Sequence, residues 1–403
     1  MKLNHAAYRT YQFATKQAAK FLDFNPPETL TGAGCITQLP ARIKKLGINK
    51  VLLVTDAGIT KLGLTYSLLK ALEDESITYF IYDKTQPNPT IENIEQAKQM
   101  YLDNACEGLI AFGGGSPMDC AKVAAARVAK PAQPVSKMRG FVKILKKLPP
   151  LFAVPTTAGT GSETTIAAVV TDPQTHIKYA VTDPSLKPVL AVLDPKLTVG
   201  LPSHITAATG MDALTHAVEA IIGRSNTEQT EQWALKATAL VFENLQTAYS
   251  QPQDLAAREN MLTASFYAGA AFTRAYIGYV HAIAHCMGGM YGTPHGLANA
   301  VILPYVLDWF GSSAYQRLAM LARAAHIGSE SSSDEVRAKA FIAAIRQLNA
   351  DLGLPAVLDC VRAQDVELIA QRAVKEGNPY YPVPRIISID ECMAVVRRCG
   401  GLQ

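Results

Sequence analysis

"IAFGGGSPMDCAK" (residues 110–122) reads as the end of a buried strand, a triple-glycine turn and the start of a helix. Ile110, Ala111 and Phe112 form an apolar run of the kind that fills a strand covered on both faces. Gly113, Gly114 and Gly115 let the backbone approach a ligand and aim N–H groups outward. Ser116 suits the N-cap, Pro117 the first helical position and Asp119 the acidic third position. A helix N-terminus carries roughly half a positive charge, so this turn fits a phosphate or pyrophosphate. The pattern is neither the G-x-G-x-x-G of dinucleotide folds nor a P-loop, since no G-K-[ST] follows. A tight turn before a well-capped helix is the plainer alternative; the buried strand ahead of it favours anion binding.

The same grammar repeats outward. "KVLLVTD" (50–56), "ITYFIYD" (77–83), "GLIAFGG" (108–114) and "PLFAVPTT" (150–157) each read as a buried strand closed by a polar or glycine-rich turn. Helical stretches, such as 92–104 and 117–129, lie between them. Strand alternating with helix implies a parallel sheet with both faces covered, whose ligands bind beyond the carboxyl ends of the strands. Asp56, Gly113 to Ser116 and Thr156 to Thr160 fall at those ends. In "PTTAGTGSETT" (155–165), eight of eleven residues are Gly, Ser or Thr, which suits a ligand clamp better than a short connection. Asp56 is placed to accept hydrogen bonds from an adenosine ribose; its competing reading is a turn residue.

The grammar changes near Ile205. Segments 206–222, 226–248, 254–275, 315–327 and 334–352 are long, alanine-rich and helical in period. An α/β domain over 1–203 and a helical metal-binding domain over 204–403 follow, with Pro202 in "GLPSH" at the boundary and 1–27 as an N-terminal extension. That extension has basic residues and no apolar core region, so it reads as an amphipathic helix rather than a secretory signal.

Four of the eight histidines lie in "GMDALTHAVEA" (210–220) and "HAIAHCMGGMYGTPHG" (281–296). Asp212 and His216 are four apart, and so are His281 and His285; on a helix each pair shares one face. His295 sits in a Pro–His–Gly turn. Asp212, His216, His281 and His295 make one carboxylate and three imidazoles, a set suited to Fe²⁺, Zn²⁺ or Mn²⁺. His5, His176, His204 and His326 stand isolated and read as ordinary structural residues. No H-E-x-x-H and no G-x-S-x-G occurs, so neither a metalloprotease nor a serine hydrolase is supported.

Bulk composition narrows the class. The chain has 403 residues, 49% hydrophobic and 18% charged, with a net charge of +4 and no basic stripe, which argues against nucleic acid as a partner. No apolar run approaches the roughly 20 residues of a membrane span. Seven cysteines without a C-x-x-C pair fit a reducing cytosol.

Together, "GGGSPMDCAK", "PTTAGTGSE", "GMDALTHAVEA" and "HAIAHCMGGMYGTPHG" resemble, in order, the four main motifs of the iron-containing (group III) alcohol dehydrogenases. The resemblance runs from about residue 28 to 310 and more faintly to the C-terminus. It implies a Rossmann-like parallel sheet that binds NAD, followed by an all-α domain, as in dehydroquinate synthase-like folds. By motif position, Asp212, His216, His281 and His295 match the metal ligands and His285 a non-ligand histidine beside the nicotinamide, a candidate proton relay. Gly115, Ser116 and Asp119 match the pyrophosphate loop, Asp56 the ribose carboxylate, and Asn88, Thr156, Thr157, Thr160, Thr165 and Lys178 further cofactor contacts. Cys286 departs from the proline many relatives carry, a change expected to bear on the substrate pocket. The implied activity is NAD-dependent oxidation of a small alcohol, with Fe²⁺ by resemblance and Zn²⁺ equally compatible with the ligands, in a cytoplasmic homodimer or higher homo-oligomer. A dehydroquinate-synthase-like lyase and a nucleotide-independent metal hydrolase are the competing readings.

Overall fold

A computed structural model of the protein describes residues 2–173 and 177–402; His176 lies outside the described residues. The chain divides into two compact units, Phe24–Gly200 on one hand and Leu201–Gln403 with Met1–Asp23 on the other. The N-terminal segment therefore does not join the α/β domain to which its sequence position assigned it. Its helix α1 (Lys2–Ala18) is tied to the far end of the chain. Arg9 donates to the carbonyls of Val383 and Pro384, and Gln12 to those of Pro379 and Tyr381.

The described residues of the first unit form nine strands: β1 (Glu28–Thr31), β2 (Lys50–Val54), β3 (Thr78–Tyr82), β4 (Gly108–Gly113), β5 (Gly140–Phe141), β6 (Leu151–Pro155), β7 (Ala167–Asp172), β8 (Ile177–Thr182) and β9 (Leu190–Leu193). Six of them pair in parallel in the order β1-β9-β6-β4-β2-β3. Helices α2 (Leu39–Lys45), α3 (Ala57–Lys61), α4 (Tyr66–Asp74), α5 (Ile91–Asp103) and α6 (Gly115–Ala129) belong to the same unit. Alternation along β4 explains how both faces are buried. Leu109 and Ala111 pack into one apolar cluster with residues of α5 and α6, and Ile110 and Phe112 into another with residues of α2 and α4.

The chain leaves β2 for β3 on one side and returns to β4 on the other, so the strand order reverses between β2 and β4. That switch point is where open α/β sheets bind ligands. Asp56 closes the one strand and the triple glycine the other. The sequence analysis did not single out a second sheet, β5-β8-β7: β5 is only Gly140–Phe141, and β7 buries Ala168 and Val170 while exposing Val169 between them.

The described residues of the second unit add, beyond α1, nine helices: α7 (Ser203–Ile222), α8 (Glu228–Ser250), α9 (Leu255–Ala275), α10 (Tyr279–Tyr291), α11 (His295–Phe310), α12 (Tyr315–Ala324), α13 (Asp334–Asp351), α14 (Val366–Gly377) and α15 (Ile389–Cys399). Its described residues contain no strand. Side-chain caps set several starts: Thr227 for α8, Asp254 for α9, Ser333 for α13 and Ser388 for α15 each accept a first-turn N–H. Among the described residues no helix is long and apolar enough to cross a membrane, and none of the seven cysteines is joined in a disulfide.

Candidate active site

The glycine turn is built by β4 running straight into α6, but the helix starts earlier than the sequence suggests. Gly114, extended at φ −79° and ψ −160°, is the N-cap and Gly115 the first helical residue. Ser116 is thus inside the helix rather than its cap, and its hydroxyl accepts the Asn88 N–H at 3.1 Å. Asn88 itself sits in the left-handed region, at φ 58°. Asp119 lies a full turn into α6, with its carboxylate turned into the protein. It accepts the Ser162 hydroxyl at 3.3 Å and the Val169 N–H at 3.0 Å. Burial pushes its carboxyl up to about 6 against the opposing pull of Lys122.

The threonine loop packs directly on the glycines. A Cβ on Gly114 would lie 3.4 Å from Thr157 Oγ1, and one on Gly115 would lie 3.2 Å from Thr160 Cγ2. Thr156 donates its N–H to the Gly113 carbonyl at 3.0 Å, carrying the β4–β6 ladder into the loop. Lys122, which the sequence reading passed over, pins the loop from below. Its buried ammonium donates to the Ser162 and Thr165 carbonyls at 2.7 and 3.0 Å and to the Thr165 hydroxyl at 2.7 Å. Thr165 is therefore engaged inside the protein, while Lys178 lies on β8 opposite Thr171. Asp56, at the end of β2, caps α3 by accepting the Ile59 N–H at 3.0 Å.

Gly113 cannot carry a side chain. Its φ is +148°, and an added Cβ would meet Pro117 Cγ at 2.7 Å and Ile59 Cδ1 at 2.9 Å. Gly113→Ala is expected to cost about 1–3 kcal/mol through overpacking and strain and to weaken NADH binding. Denaturant titration with and without NADH checks both; unchanged affinity would show that the turn does not hold the nucleotide.

In the helical unit, α7 places Asp212 and His216 one turn apart, and α10 brings His281 beside them. All three are buried, at 2%, 4% and 2% exposure. One ligating atom of each lies within 4.8 Å of the others. His295 is not in a free turn but opens α11 after Pro294. Its Nε2 is 3.6 Å from Asp212 Oδ1. Two residues absent from the sequence reading complete the arrangement. Glu219, on the same face of α7, holds His281 Nδ1 at 2.6 Å and accepts the Gly278 and Val280 N–H groups at 2.8 Å each. This fixes His281 with its Nε2 lone pair directed at Asp212. A Cβ on Gly278 would come within 2.7 Å of Glu219 Oε1, so a side chain there would displace the carboxylate that holds His281. Asn299 Nδ2 lies 2.7 Å from Asp212 Oδ1, 3.2 Å from His281 Nε2 and 3.1 Å from His295 Nε2.

Three ligand-type atoms thus converge on one amide nitrogen that has two protons to give. A divalent cation satisfies such a donor set, and an amide does not. One carboxylate with three imidazoles suits a first-row divalent metal.

His285 lies one turn beyond His281 on α10. Its Nδ1 is 2.7 Å from Glu376 Oε1, and its ring stacks on that of His295 at 5.4 Å. Cys286 is buried, with its thiol donating to the carbonyls of Ala282 on α10 and Ile369 on α14. Burial pushes that thiol up to about 12. Its influence on any pocket therefore runs through the packing of α10 on α14.

Comparison with known proteins agrees with this chemistry. Residues 26–195 match the family model for iron-containing alcohol dehydrogenase, and residues 206–399 match the model for the C-terminal part of the Fe-containing alcohol dehydrogenase family. Alcohol dehydrogenase 4 of Schizosaccharomyces pombe is 39% identical over 89% of this chain and 85% of its own. The crystal structure of a 1,3-propanediol oxidoreductase superposes with a TM-score of 0.91 at 36% identity, covering 94% of this chain and all of that one. A sulfoacetaldehyde reductase from Bifidobacterium kashiwanohense, solved in complex with NAD⁺, gives a TM-score of 0.85 at 26% identity over 95% of this chain and 100% of its own. The chain belongs to the iron-containing alcohol dehydrogenase family.

Proposed function

We infer that this protein interconverts a small primary alcohol or diol and its aldehyde, with NAD as hydride partner and Fe²⁺ held by Asp212, His216, His281 and His295. The observation that carries the reading is the convergence of Asp212 Oδ1, His281 Nε2 and His295 Nε2 on the position taken by the Asn299 amide. When bound, the metal supplies a Lewis acid for the alcohol oxygen and NAD accepts the hydride. Glu219 keeps His281 in the ligating tautomer. His285 takes the hydroxyl proton from the alcohol and passes it to solvent.

The backbone N–H groups of Gly113, Gly114, Gly115 and Ser116 at the start of α6 receive the pyrophosphate. The hydroxyls of Thr156, Thr157 and Thr160, with Asn88 and Lys178, contact the rest of the cofactor. Asp119 and Thr165 act through the loop that they and Lys122 hold in place.

A panel of primary alcohols, diols and matching aldehydes, run on Fe²⁺- and Zn²⁺-loaded protein, tests the reading. Net NADH formation from a simple alcohol supports it, and failure with every member of the panel overturns it. The same panel separates it from a lyase, which forms no net NADH, and enhanced NADH fluorescence separates it from a nucleotide-independent hydrolase. The reading places the enzyme in the cytosol as a homo-oligomer. Cysteines outside any disulfide fit a reducing compartment, and light scattering of the holoenzyme reports its mass.

Asp56 is assigned the choice of NAD over NADP. A 2′-phosphate brought against its carboxylate costs about 4 kcal/mol per unit charge at about 4 Å and an effective dielectric near 20. Exposure to solvent reduces this to roughly 1.5–3 kcal/mol, or about 10- to 150-fold in preference. Because the same carboxylate caps α3, Asp56→Ser is the informative variant: it keeps a capping oxygen and removes the charge. NADP turnover should rise relative to NAD. An unchanged ratio, or a wild type that already prefers NADP, reduces Asp56 to its capping role.

A further inference from the structure

The Nδ1 contact of His285 is the first link of a chain of hydrogen bonds within the helical unit. Glu376, near the end of α14, meets His285 Nδ1 through Oε1 at 2.7 Å. The same oxygen accepts the Tyr381 hydroxyl at 2.8 Å. Tyr381 lies in the loop between α14 and α15, and Gln12 of α1 donates to its carbonyl at 2.8 Å and to that of Pro379 at 3.0 Å. Arg9 donates to the next carbonyls along, Val383 at 2.7 Å and Pro384 at 2.9 Å. Gln12 is 5% exposed, so its amide is committed to the loop rather than shared with water.

We propose that Glu376, braced by Tyr381 and by the N-terminal helix through Gln12 and Arg9, is a positioning residue that holds His285 in the Nδ1–H tautomer with Nε2 directed at the reacting alcohol. The proposal rests on the role given above to His285 as acceptor of the hydroxyl proton. A neutral imidazole has one N–H and one lone pair. A carboxylate at Nδ1 accepts from it, so the lone pair is on Nε2, at the opposite edge of the ring. The alcohol O–H bond then breaks as Nε2–H forms, the carbinol C–H pair leaves as hydride to NAD⁺, and the imidazolium gives its proton to solvent. With the other tautomer, Nε2 carries a proton and the first transfer has no acceptor.

The charge state of the partners fits this. Burial draws the Glu376 carboxyl upward, but His285 and the Tyr381 hydroxyl hold it below its ordinary value, so it is an acceptor. Burial and the Glu376 carboxylate keep Tyr381 well above the usual phenol range, so it is a donor. The arrangement also gives α1 a task. It clamps the loop on which the phenol is carried, and a helix that merely covered surface would not need two side chains satisfying four carbonyls of that loop.

The test is a double-mutant cycle on the full-length, metal-loaded enzyme. Glu376→Gln can donate to Nδ1 and so favours the wrong tautomer. It should lower kcat about tenfold with KM, metal stoichiometry and NADH affinity near wild type. In a His285→Ala background the same change should cost less than about twofold, because Glu376 then has nothing to orient. Gln12→Ala should lower kcat in the same sense by a smaller factor, again only when His285 is present. An equal loss with and without His285, or a loss of metal, overturns the proposal. If Glu376→Gln fails to fold, Tyr381→Phe carries the same cycle. A readout independent of turnover is the ¹⁵N shift pair of the His285 ring in the Zn²⁺-loaded protein. It should report Nδ1–H in the wild type and a shift toward Nε2–H in Glu376→Gln. An unchanged tautomer sinks the proposal even if the enzyme is active, whereas an altered tautomer in a protein that oxidises no alcohol indicts the function assigned above instead.

Discussion

Replacing His281 by alanine is expected to abolish both metal retention and turnover while the Phe24–Gly200 unit still binds NADH. His281 has no substitute in the cluster. Its Nε2 is one of the three ligand-type atoms converging on a single point, and its Nδ1 is the partner of Glu219. Removing the ring deletes a ligand and also takes from Glu219, already pushed up to about 7 by burial, the imidazole partner that it holds beside the Gly278 and Val280 N–H groups. A ligand lost from a four-donor site weakens binding far more than the 10- to 100-fold typical of a lost outer partner. Metal stoichiometry, NADH fluorescence and kcat on one preparation check the three parts of the expectation. A variant that keeps full stoichiometry would show that the ligands are elsewhere. Glu219→Gln supplies the graded control, with metal affinity reduced by about 10- to 100-fold and the fold intact.

Local sequence patterns carry local geometry, and this protein shows where that stops. The strand–glycine–helix grammar at 108–129 is legible because a parallel strand buried on both faces must be apolar throughout, as β4 is. The i, i+4 pairs Asp212–His216 and His281–His285 are legible because helical neighbours declare themselves by spacing. By the same rule Glu219, seven after Asp212 and three after His216, and Asn299, four after His295, share the faces of their ligand neighbours; spacing places them there but does not say which side chain binds metal and which holds a ligand in place. The start of α6 was misplaced by two residues because a glycine offers the helix no side-chain signal, so the first serine drew the cap. Glu376 and Tyr381 lie about ninety residues from His285, and no periodicity links them; the same holds for Gln12 and the 379–384 loop at the opposite end of the chain. Those contacts come from tertiary packing, and so does the departure of residues 1–23 from the unit that follows them in sequence.

His285→Ala is expected to keep the metal and lose about 10²- to 10⁴-fold in kcat, the range that a positioned proton acceptor contributes. The two histidines on α10 are one turn apart, yet their surroundings divide their roles. His281 is 2% exposed and faces Asp212, whereas the side chain of His285 is 38% exposed and faces Glu376. A relay must reach water, as the partly exposed His285 does. Loss of the His285 ring removes a stacking partner of His295 but no donor from the convergent set, so metal stoichiometry should stay near wild type. The pH dependence of turnover should change shape, because the group that takes the hydroxyl proton has gone. Added imidazole should restore part of the rate, since a small base can occupy the vacated, partly exposed site. It should not restore His281→Ala, whose defect is the metal. Metal loss in His285→Ala equal to that in His281→Ala would make His285 a ligand, and full activity without it would give proton transfer to solvent directly.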